Sequence, residues 1–399
     1  MILLQYFHMK ILVVCQFYYP ENFIITQFAE QMAADGYEVH VLTGKPNYGY
    51  GYILPSYKNI SEEVVNGVNI HRVNLKPRKK SRLSIIKNYL SFWRNSKKWV
   101  RKCKIEFDYV YSMSLSPVTI CSAGNLYAKK HNIKHIIHCL DLWPESVLVT
   151  KAVREKSLVY RILYRWSRSI YSHADKILIS SPSFKEYFEN VLKLPTNNIE
   201  YVPQSSLVED SDIAAFDYGK GTHILYCGNL GLIQQIPLIV EAMSLLKDED
   251  IYFHIIGMGP MTDYLINSIK ERGLENKVIY HGPIVAKLAA AYFKKADALY
   301  ISLKAEGTVG KTIPSKLMMS LTFARPIVGV IKGDGKDVLE DSGGAFLADE
   351  NPESVKNALL AISNLSEKEK ARLGKLNKLY YDTHFSLRTV VSKIEKEFK

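Results

Sequence analysis

Short runs of β-branched and aromatic residues alternate with amphipathic segments along this chain, and the alternation begins twice. In the first half KILVVCQF, EVHVLTG, VNIHRVN, FDYVYSM, HIIHCLD, DKILISS and IEYVP read as strands. Near-continuous apolar runs spaced by helical segments are what a parallel sheet requires, because crossover helices cover its strands on both faces. FIITQFAEQMAADG, between the first two strands, reads as one such helix, with Phe28, Ala29 and Met32 toward the sheet and Gly36 as its stop. After Val202 the rhythm breaks into PQSSLVEDSDIAAFDYGKG, polar and rich in turn formers, which reads as a linker over residues 206–221. It resumes with HILYCG, YFHIIG, VIYHG, DALYISL and PIVGVI. At 399 residues the chain suits two α/β domains, 9–205 and 222–380, each Rossmann-like and doubly wound. Such sheets take ligands at the carboxyl ends of their strands, so the two are expected to face a central cleft. LRTVVSKIEKEFK, within 381–399, reads as a terminal helix crossing back to the first domain.

Several classes are disfavoured. The five cysteines are scattered without a CxxC pair and no histidine cluster has ligand spacing, so neither a disulfide frame nor a metal site is expected. The opening MILLQYFHMKILVVCQFYYP lacks a basic start and a small-residue cleavage site, and Lys10 to Phe17 reads as a buried strand instead of a leader. No run of about 18 apolar residues offers a membrane-spanning helix. A reducing, cytoplasmic setting fits these features.

The charge is concentrated. The chain carries 52 Lys and Arg against 40 Asp and Glu, a net charge of +12. Residues 76–104, KPRKKSRLSIIKNYLSFWRNSKKWVRKCK, hold twelve of those cations and no acid, so one segment carries the whole excess. Read as a helix from Leu83 to Val100, it sets Leu83, Ile86, Leu90, Trp93 and Val100 on one stripe. Arg78, Lys79, Lys80 and Arg82 lead in, and Lys97 and Lys98 follow. Such a helix suits an anionic membrane surface, apolar face down and cations on phosphate. A plain domain helix with a solvated basic face is the alternative. Tyr89, Phe92 and Trp99 among the cations also suit a nucleic-acid strand, but no nucleic-acid module surrounds them, so nucleic acid is not an expected partner.

The second half holds the densest candidates. HILYCG empties into Gly228, Asn229, Leu230 and Gly231 before a helix starting near Ile236. Glycines there admit a phosphate to backbone N–H groups, and the helix end adds partial positive charge. Gly257 and Gly259 follow the next strand and Gly282 the one after, forming a glycine rim; a tight turn accounts for any one of them equally well. Neither half has a dinucleotide fingerprint. Farther on, KAEGTVGKTIPSKLMMSLTFARPIVG places Glu306 after a strand, Lys311 in a glycine-bearing loop, and Ser315 and Lys316 in the first turn of a helix. Lysine is disfavoured at that end of a helix, which argues for an anion held there without a metal. In the first half Asp141 ends HIIHCLD, either as a reactive carboxylate or as a cap over Trp143, Pro144 and Glu145, with Glu145 the second candidate acid. His138 reads as core. The pairs Asp210/Asp212 and Asp248/Asp250 read as solvated loops.

The order GNLG, FHIIGMGP, YHGP, an EG loop, PSK and RPIVG resembles retaining glycosyltransferase family 4, of GT-B fold. YYPENF, VLTGKPNYGYG and DLWPES resemble its subgroup assigned to L-fucosamine transfer in bacterial O-antigen and capsule synthesis, and the similarity runs from Met9 nearly to the end. The resemblance implies a UDP-sugar held by the second domain and transfer, with retained configuration, to a sugar on a polyprenyl diphosphate. It also implies peripheral attachment to the inner face of the cell membrane and no cofactor. By the same resemblance Glu306 matches the first acid of a Glu-x7-Glu element that contacts the donor sugar, and Gly282 to Ile284 match the segment that holds the base. The second acid, which binds the ribose diol, falls on Met319. The basic pair that often follows the first glycine turn falls on Asn229 and on Gln234 or Gln235. That leaves Lys316, with Lys311, to stabilise a leaving diphosphate. A UDP-sugar 2-epimerase, which shares the architecture, and a non-enzymatic basic membrane or RNA adaptor remain as alternatives.

Overall fold

The structure is a computed structural model that describes residues 9–149, 153–206, 214–305 and 309–398. The chain forms two compact units, one running to Ser205 and completed by Leu387–Lys399, the other spanning Ser206–Ser386.

The first unit is built on β1 (Lys10–Val14), β2 (Glu38–Gly44), β3 (Glu62–Val65), β4 (Val68–Val73), β5 (Tyr109–Ser114), β6 (Lys134–Cys139), β7 (Lys176–Ile179) and β8 (Ile199–Tyr201). They pair in the order β3-β4-β2-β1-β5-β6-β7-β8, parallel throughout except at β3. β1 lies at the reversal of strand order, registering Ile11 with Val39 on one side and with Tyr109 on the other. Ile11, Leu12, Val13 and Val14 are all fully buried, as a strand covered on both faces must be. The helix Ile24–Ala34 turns Phe28, Ala29 and Met32 into the core. β3 was not expected: its EEVV is half polar because it is an edge strand. Asn66 and Gly67, both at positive φ, form its tight hairpin turn to β4.

The second unit repeats the design with β9 (Thr222–Cys227), β10 (Ile251–Ile256), β11 (Val278–Gly282), β12 (Ala298–Ser302), β13 (Ile327–Val330) and β14 (Ala345–Leu347). The order is β11-β10-β9-β12-β13-β14 and every pairing is parallel. Two doubly wound Rossmann-like sheets are thus present, and in each the loops at the strands' carboxyl ends are the natural ligand positions.

Three expectations need correcting. The stretch 206–221 is not wholly a linker. The Phe216 N–H donates to the Ala291 carbonyl at 2.9 Å, its ring stacks on Tyr292 at 4.2 Å, and Tyr218 stacks on His223 at 5.0 Å. Aromatic side chains in a polar stretch gave it a surface to bury; residues 207–213, with Asp210 and Asp212, lie outside the described residues. The terminal segment begins at Leu387 and not at 381, because Glu367–His384 is one continuous helix opened by a capping box at Ser366.

The basic segment is the helix Arg82–Lys102, but its core-facing row is Asn88, Phe92, Ser96 and Val100. Of the expected stripe only Val100 is buried, whereas Leu83, Ile86 and Leu90 are 61%, 52% and 43% exposed. The inward row was illegible because two of its members are polar. Asn88 accepts from Gln16 Nε2 at 2.6 Å and donates to Asn47 Oδ1 and the Lys76 carbonyl, and the Ser96 hydroxyl donates to the Phe92 carbonyl.

Candidate active site

At the carboxyl ends of β9, β10 and β11 three loops interlock. The Gly228 N–H donates to the Ile256 carbonyl and the Gly257 N–H to the Gly282 carbonyl, each at 2.9 Å. The Tyr280 hydroxyl closes the set on the Gly257 carbonyl, also at 2.9 Å. A Cβ at Gly257 would overlap the Gly228 carbonyl, and one at Gly259 the Leu230 carbonyl. These two glycines are therefore explained by loop-on-loop packing. Gly228 is different: a Cβ there would overlap the end of the Lys316 side chain. A Gly231 Cβ would meet the side chains of Gln234 and Asn229, while Gly282, at φ +73°, faces open space beside half-buried Ile284.

Lys316 sits in the first turn of the helix Ser315–Thr322, held by buried Leu317, Met318 and Leu321. Its Nζ lies 3.1 Å from the Tyr226 hydroxyl and 3.5 Å from the Asn229 carbonyl, with the Tyr226 ring centroid 5.0 Å away. Tyr226 in turn donates to the Asn229 carbonyl at 2.6 Å, so strand end, loop and helix start share one hydrogen-bonded corner. Burial pushes the Lys316 pKa down to about 8. Among the described residues no carboxylate lies within ion-pair distance of it. A largely enclosed cation at a helix N-terminus, with no counter-ion among the described residues, has the composition that suits an anion. Sequence reasoning did not find Tyr226; its signal was a tyrosine two residues before the glycine that ends the strand.

Ser315 is exposed at the same helix start, and Met319 is half-buried one turn on, where its side chain offers a ribose no acceptor for its hydroxyls. Lys311 lies in the loop before the helix, half-buried, with Gly310 packed on Ala305. Glu306 lies outside the described residues.

In the first unit Asp141 follows β6, largely enclosed, and burial raises its carboxyl above the ordinary range. Hydrogen bonds from Ser146 and from the Leu142 N–H oppose that shift, and Glu145 adds to it. It is thus both a cap and a carboxylate inclined to hold a proton. Glu145 does not stand beside it as a second free acid: it turns into the core, with one oxygen accepting from Tyr160 at 2.7 Å and the other from Tyr187. His138 is core, bonded to Tyr111 and the Val202 carbonyl.

The unit's loops also reveal what YYPENF and KPNYGYG do together. Buried Glu21 accepts from the backbone N–H groups of Asn47 and Tyr48, and Asn47 Oδ1 accepts from the Arg78 N–H at 2.9 Å and from Asn88 at 3.0 Å. Arg78 is therefore no free surface cation. Its guanidinium donates to Tyr89 and lies over the Tyr48 ring at 5.3 Å. Lys79, Lys80, Arg82 and Lys98 are exposed, and Lys97 lies 4.6 Å over the ring of half-buried Trp93.

The two units match two family descriptions. Residues 22–204 match the Glycosyl transferase 4-like domain and residues 221–364 the Glycosyl transferases group 1. WbjE of Pseudomonas aeruginosa, named a probable glycosyltransferase, is 27% identical over 214 residues, 50% of this chain and 51% of that protein. The chain thus spans about half the length of that relative in the match. WcaI of Escherichia coli K12, whose name places it in colanic acid biosynthesis, is 27% identical over 341 residues, 77% of this chain and 80% of WcaI. The Anabaena protein HepE, solved in complex with UDP, superposes with a TM-score of 0.70 at 13% identity, over 98% of this chain and 99% of HepE. Two doubly wound units, each matching one half of a glycosyltransferase, place this chain among the glycosyltransferases of GT-B fold.

Proposed function

We propose that this enzyme moves a sugar, an N-acetyl-fucosamine or related amino sugar, from UDP to a sugar on a polyprenyl diphosphate, retaining anomeric configuration, during bacterial surface polysaccharide synthesis. The colanic acid name of WcaI and the UDP bound to HepE support the setting and the donor class. The observation that carries the reading is Lys316, an enclosed amine with no counter-ion among the described residues, its end packed where a Cβ at Gly228 would sit.

In this reaction the bond from the anomeric carbon to the β-phosphate oxygen breaks and UDP leaves with the electron pair. Lys316 meets the charge that develops on that phosphate, assisted by Lys311 and by Ser315 at the helix start, and no metal is assigned to the step. The acceptor hydroxyl oxygen bonds the carbon, and its proton is assigned to the ionised Asp141 carboxylate, whose burial raises its affinity for a proton. Glu306 is assigned to the donor sugar. Glu145, with both oxygens bonded to tyrosines, is assigned to holding the Asp141 loop.

The test is a thermal-shift screen over nucleotide sugars, followed by transfer of the stabilising donor onto lipid extract. Lys316→Ala is expected to cut turnover about 10²–10³-fold with little change in Tm; unchanged turnover removes Lys316 from the mechanism. Conversion of the donor alone, without acceptor, identifies an epimerase instead.

A further inference from the structure

The loop after β2 closes on itself and turns aromatic rings outward at its tip. The Leu54 N–H donates to the Pro46 carbonyl at 3.0 Å, and Tyr48, Gly49, Tyr50, Gly51 and Tyr52 make the turn between them. The three tyrosines are 44%, 49% and 53% exposed. Among the described residues none of their hydroxyls has a hydrogen-bond partner. Single exposed tyrosines are ordinary, but three at alternate positions of one closed turn form a surface.

Beneath the tip the loop is fastened by buried polar groups. Glu21, from the loop after β1, accepts from the Asn47 and Tyr48 N–H groups; burial raises its carboxyl above the ordinary range, and those two bonds oppose the shift. Buried Asn47 donates to the Lys45 carbonyl at 2.9 Å, and buried Lys45 donates to the Lys58 carbonyl. Arg72 ties the two loops together through the Tyr19 carbonyl at 2.6 Å and the Gly44 carbonyl at 3.5 Å. Such groups are costly to bury unless bonded, and here their bonds go chiefly to loop backbone. Tyr48 packs edge-on against Phe17 and Phe23, at 4.9 and 5.1 Å. Tyr50 and Tyr52 stand in front, their ring centroids 6.1 Å apart and their planes 49° from parallel. Gly49 and Gly51, at φ +80° and +78°, would carry a Cβ into open space, so the turn alone requires them. The rings are thus held out before a ligand arrives, which lowers the entropy lost on binding.

The chemistry of the tip selects its occupant. A phenol offers an apolar face of negative quadrupole and a hydroxyl at its rim. A pyranose is the complement, with C–H bonds on one face of its ring and hydroxyls around the edge. A nucleic-acid strand needs free cations beside the rings, whereas Lys45, Arg72 and Arg78 are turned to carbonyls, Glu63 and Tyr89. A lipid chain needs aliphatic neighbours, and residues 48–52 include none. The position also suits a substrate, because both loops leave carboxyl ends of strands and β1 lies at the reversal of strand order.

We propose that Tyr50 and Tyr52, backed by Tyr48, form a stacking site for a neutral pyranose ring, the terminal sugar of the acceptor saccharide. Its part in transfer rests on the reading proposed above; its physical grounds are the loop alone.

The test records saturation-transfer NMR on the full chain with methyl pyranosides of gluco, galacto, N-acetylgluco and L-fuco configuration. At least one is expected to take up saturation on the C–H protons of one ring face, equally at low and high salt. Tyr50→Leu with Tyr52→Leu keeps apolar bulk at exposed positions and removes the rings; it is expected to lower that signal at least about fivefold with unchanged Tm. Tyr50→Phe with Tyr52→Phe keeps most of the signal. Gly49→Ala with Gly51→Ala meets no neighbour and strains only the turn, and is expected to weaken the signal as well. In transfer onto lipid extract the Leu pair is expected to raise the acceptor KM at least about tenfold, with kcat nearly unchanged and UDP affinity by calorimetry the same. Saturation of none of the four pyranosides, undiminished saturation in the Leu pair, or a wild-type acceptor KM in that variant each overturns the proposal. Absence of UDP binding by the wild type would count against the transferase reading, and the pyranoside measurement would still decide the stacking site.

Discussion

One amine, Lys316, faces opposite demands in the free enzyme and in the nucleotide complex proposed above. Burial alone holds its pKa near 8 instead of the ordinary 10.5. Between those values the unfolded chain binds the proton and the folded chain does not, so the free protein gains stability as pH rises across that window. A bound diphosphate favours the ammonium and reverses the sign. UDP affinity is therefore expected to be level below pH 8 and to fall above it, with proton uptake on binding near pH 8. Calorimetry in buffers of different ionisation enthalpy measures both; Lys316→Met should bind UDP weakly at every pH and melt higher than wild type. At Met319, Met319→Glu supplies the missing acceptor and is expected to tighten UDP about tenfold while leaving 2′,3′-dideoxy-UDP unchanged. Equal gains for both ligands would mean that the carboxylate does not reach the diol. Lys316 was legible in the sequence because a lysine in a helix's first turn is a local anomaly. Glu145 was not, because its tyrosines lie 15 and 42 residues away.

Among the elements, neighbouring strands of the second sheet share a chain of imidazoles. His223 Nδ1 and His254 Nε2 are 3.0 Å apart, as are His254 Nδ1 and His281 Nε2, and His223 Nε2 donates to the Lys220 carbonyl at 3.1 Å. With His223 Nε2 as donor, His254 donates through Nε2 to His223 and accepts at Nδ1 from His281, which only its neutral ring can do. Burial, then the charges of His223 and His281, push the His254 pKa down to about 3. Its contribution to stability is complete above the unfolded value of 6.5 and is lost as pH falls from there toward 3. Urea unfolding of the second unit, followed by far-UV circular dichroism, is expected to weaken steadily from pH 7 to pH 5, with a shallower slope in His254→Gln. An identical slope in that variant would place the acid sensitivity elsewhere. His135 and His138, lowered by burial to about 3 and about 4, give the first unit the same direction. None of this was written in any one strand, since a hydrogen bond between strands depends on register. The same limit hid the inward row of the basic helix, whose Asn88 became a core residue only through Gln16 and Asn47.

The chain returns at its end to the unit in which it began. Val390, Val391, Ile394 and Phe398 are fully buried there, Phe398 meets the rings of Tyr37 and Tyr109, and Arg388 pairs with Asp35. Burying such side chains is worth about 1.5–3 kcal/mol each, a large share of the roughly 5–15 kcal/mol that holds a domain folded. Deleting 387–399 is therefore expected to destabilise the first unit by several kcal/mol and leave the second nearly unchanged. All four tryptophans (Trp93, Trp99, Trp143 and Trp166) lie in the first unit, so their emission reports it selectively; an unshifted midpoint would show the segment to be dispensable. The run of buried strands, the double start of the pattern and the presence of a glycine turn at 228 and a first-turn lysine at 316 were determined by the sequence itself. Hydrophobic period, turn chemistry and helix-end electrostatics act over a few residues and are written locally. Tertiary structure alone decided that Gly228 makes room for Lys316 and that Glu21 holds the loop at Asn47. Each of those depends on residues distant in the chain meeting at a few ångströms, which no local pattern encodes.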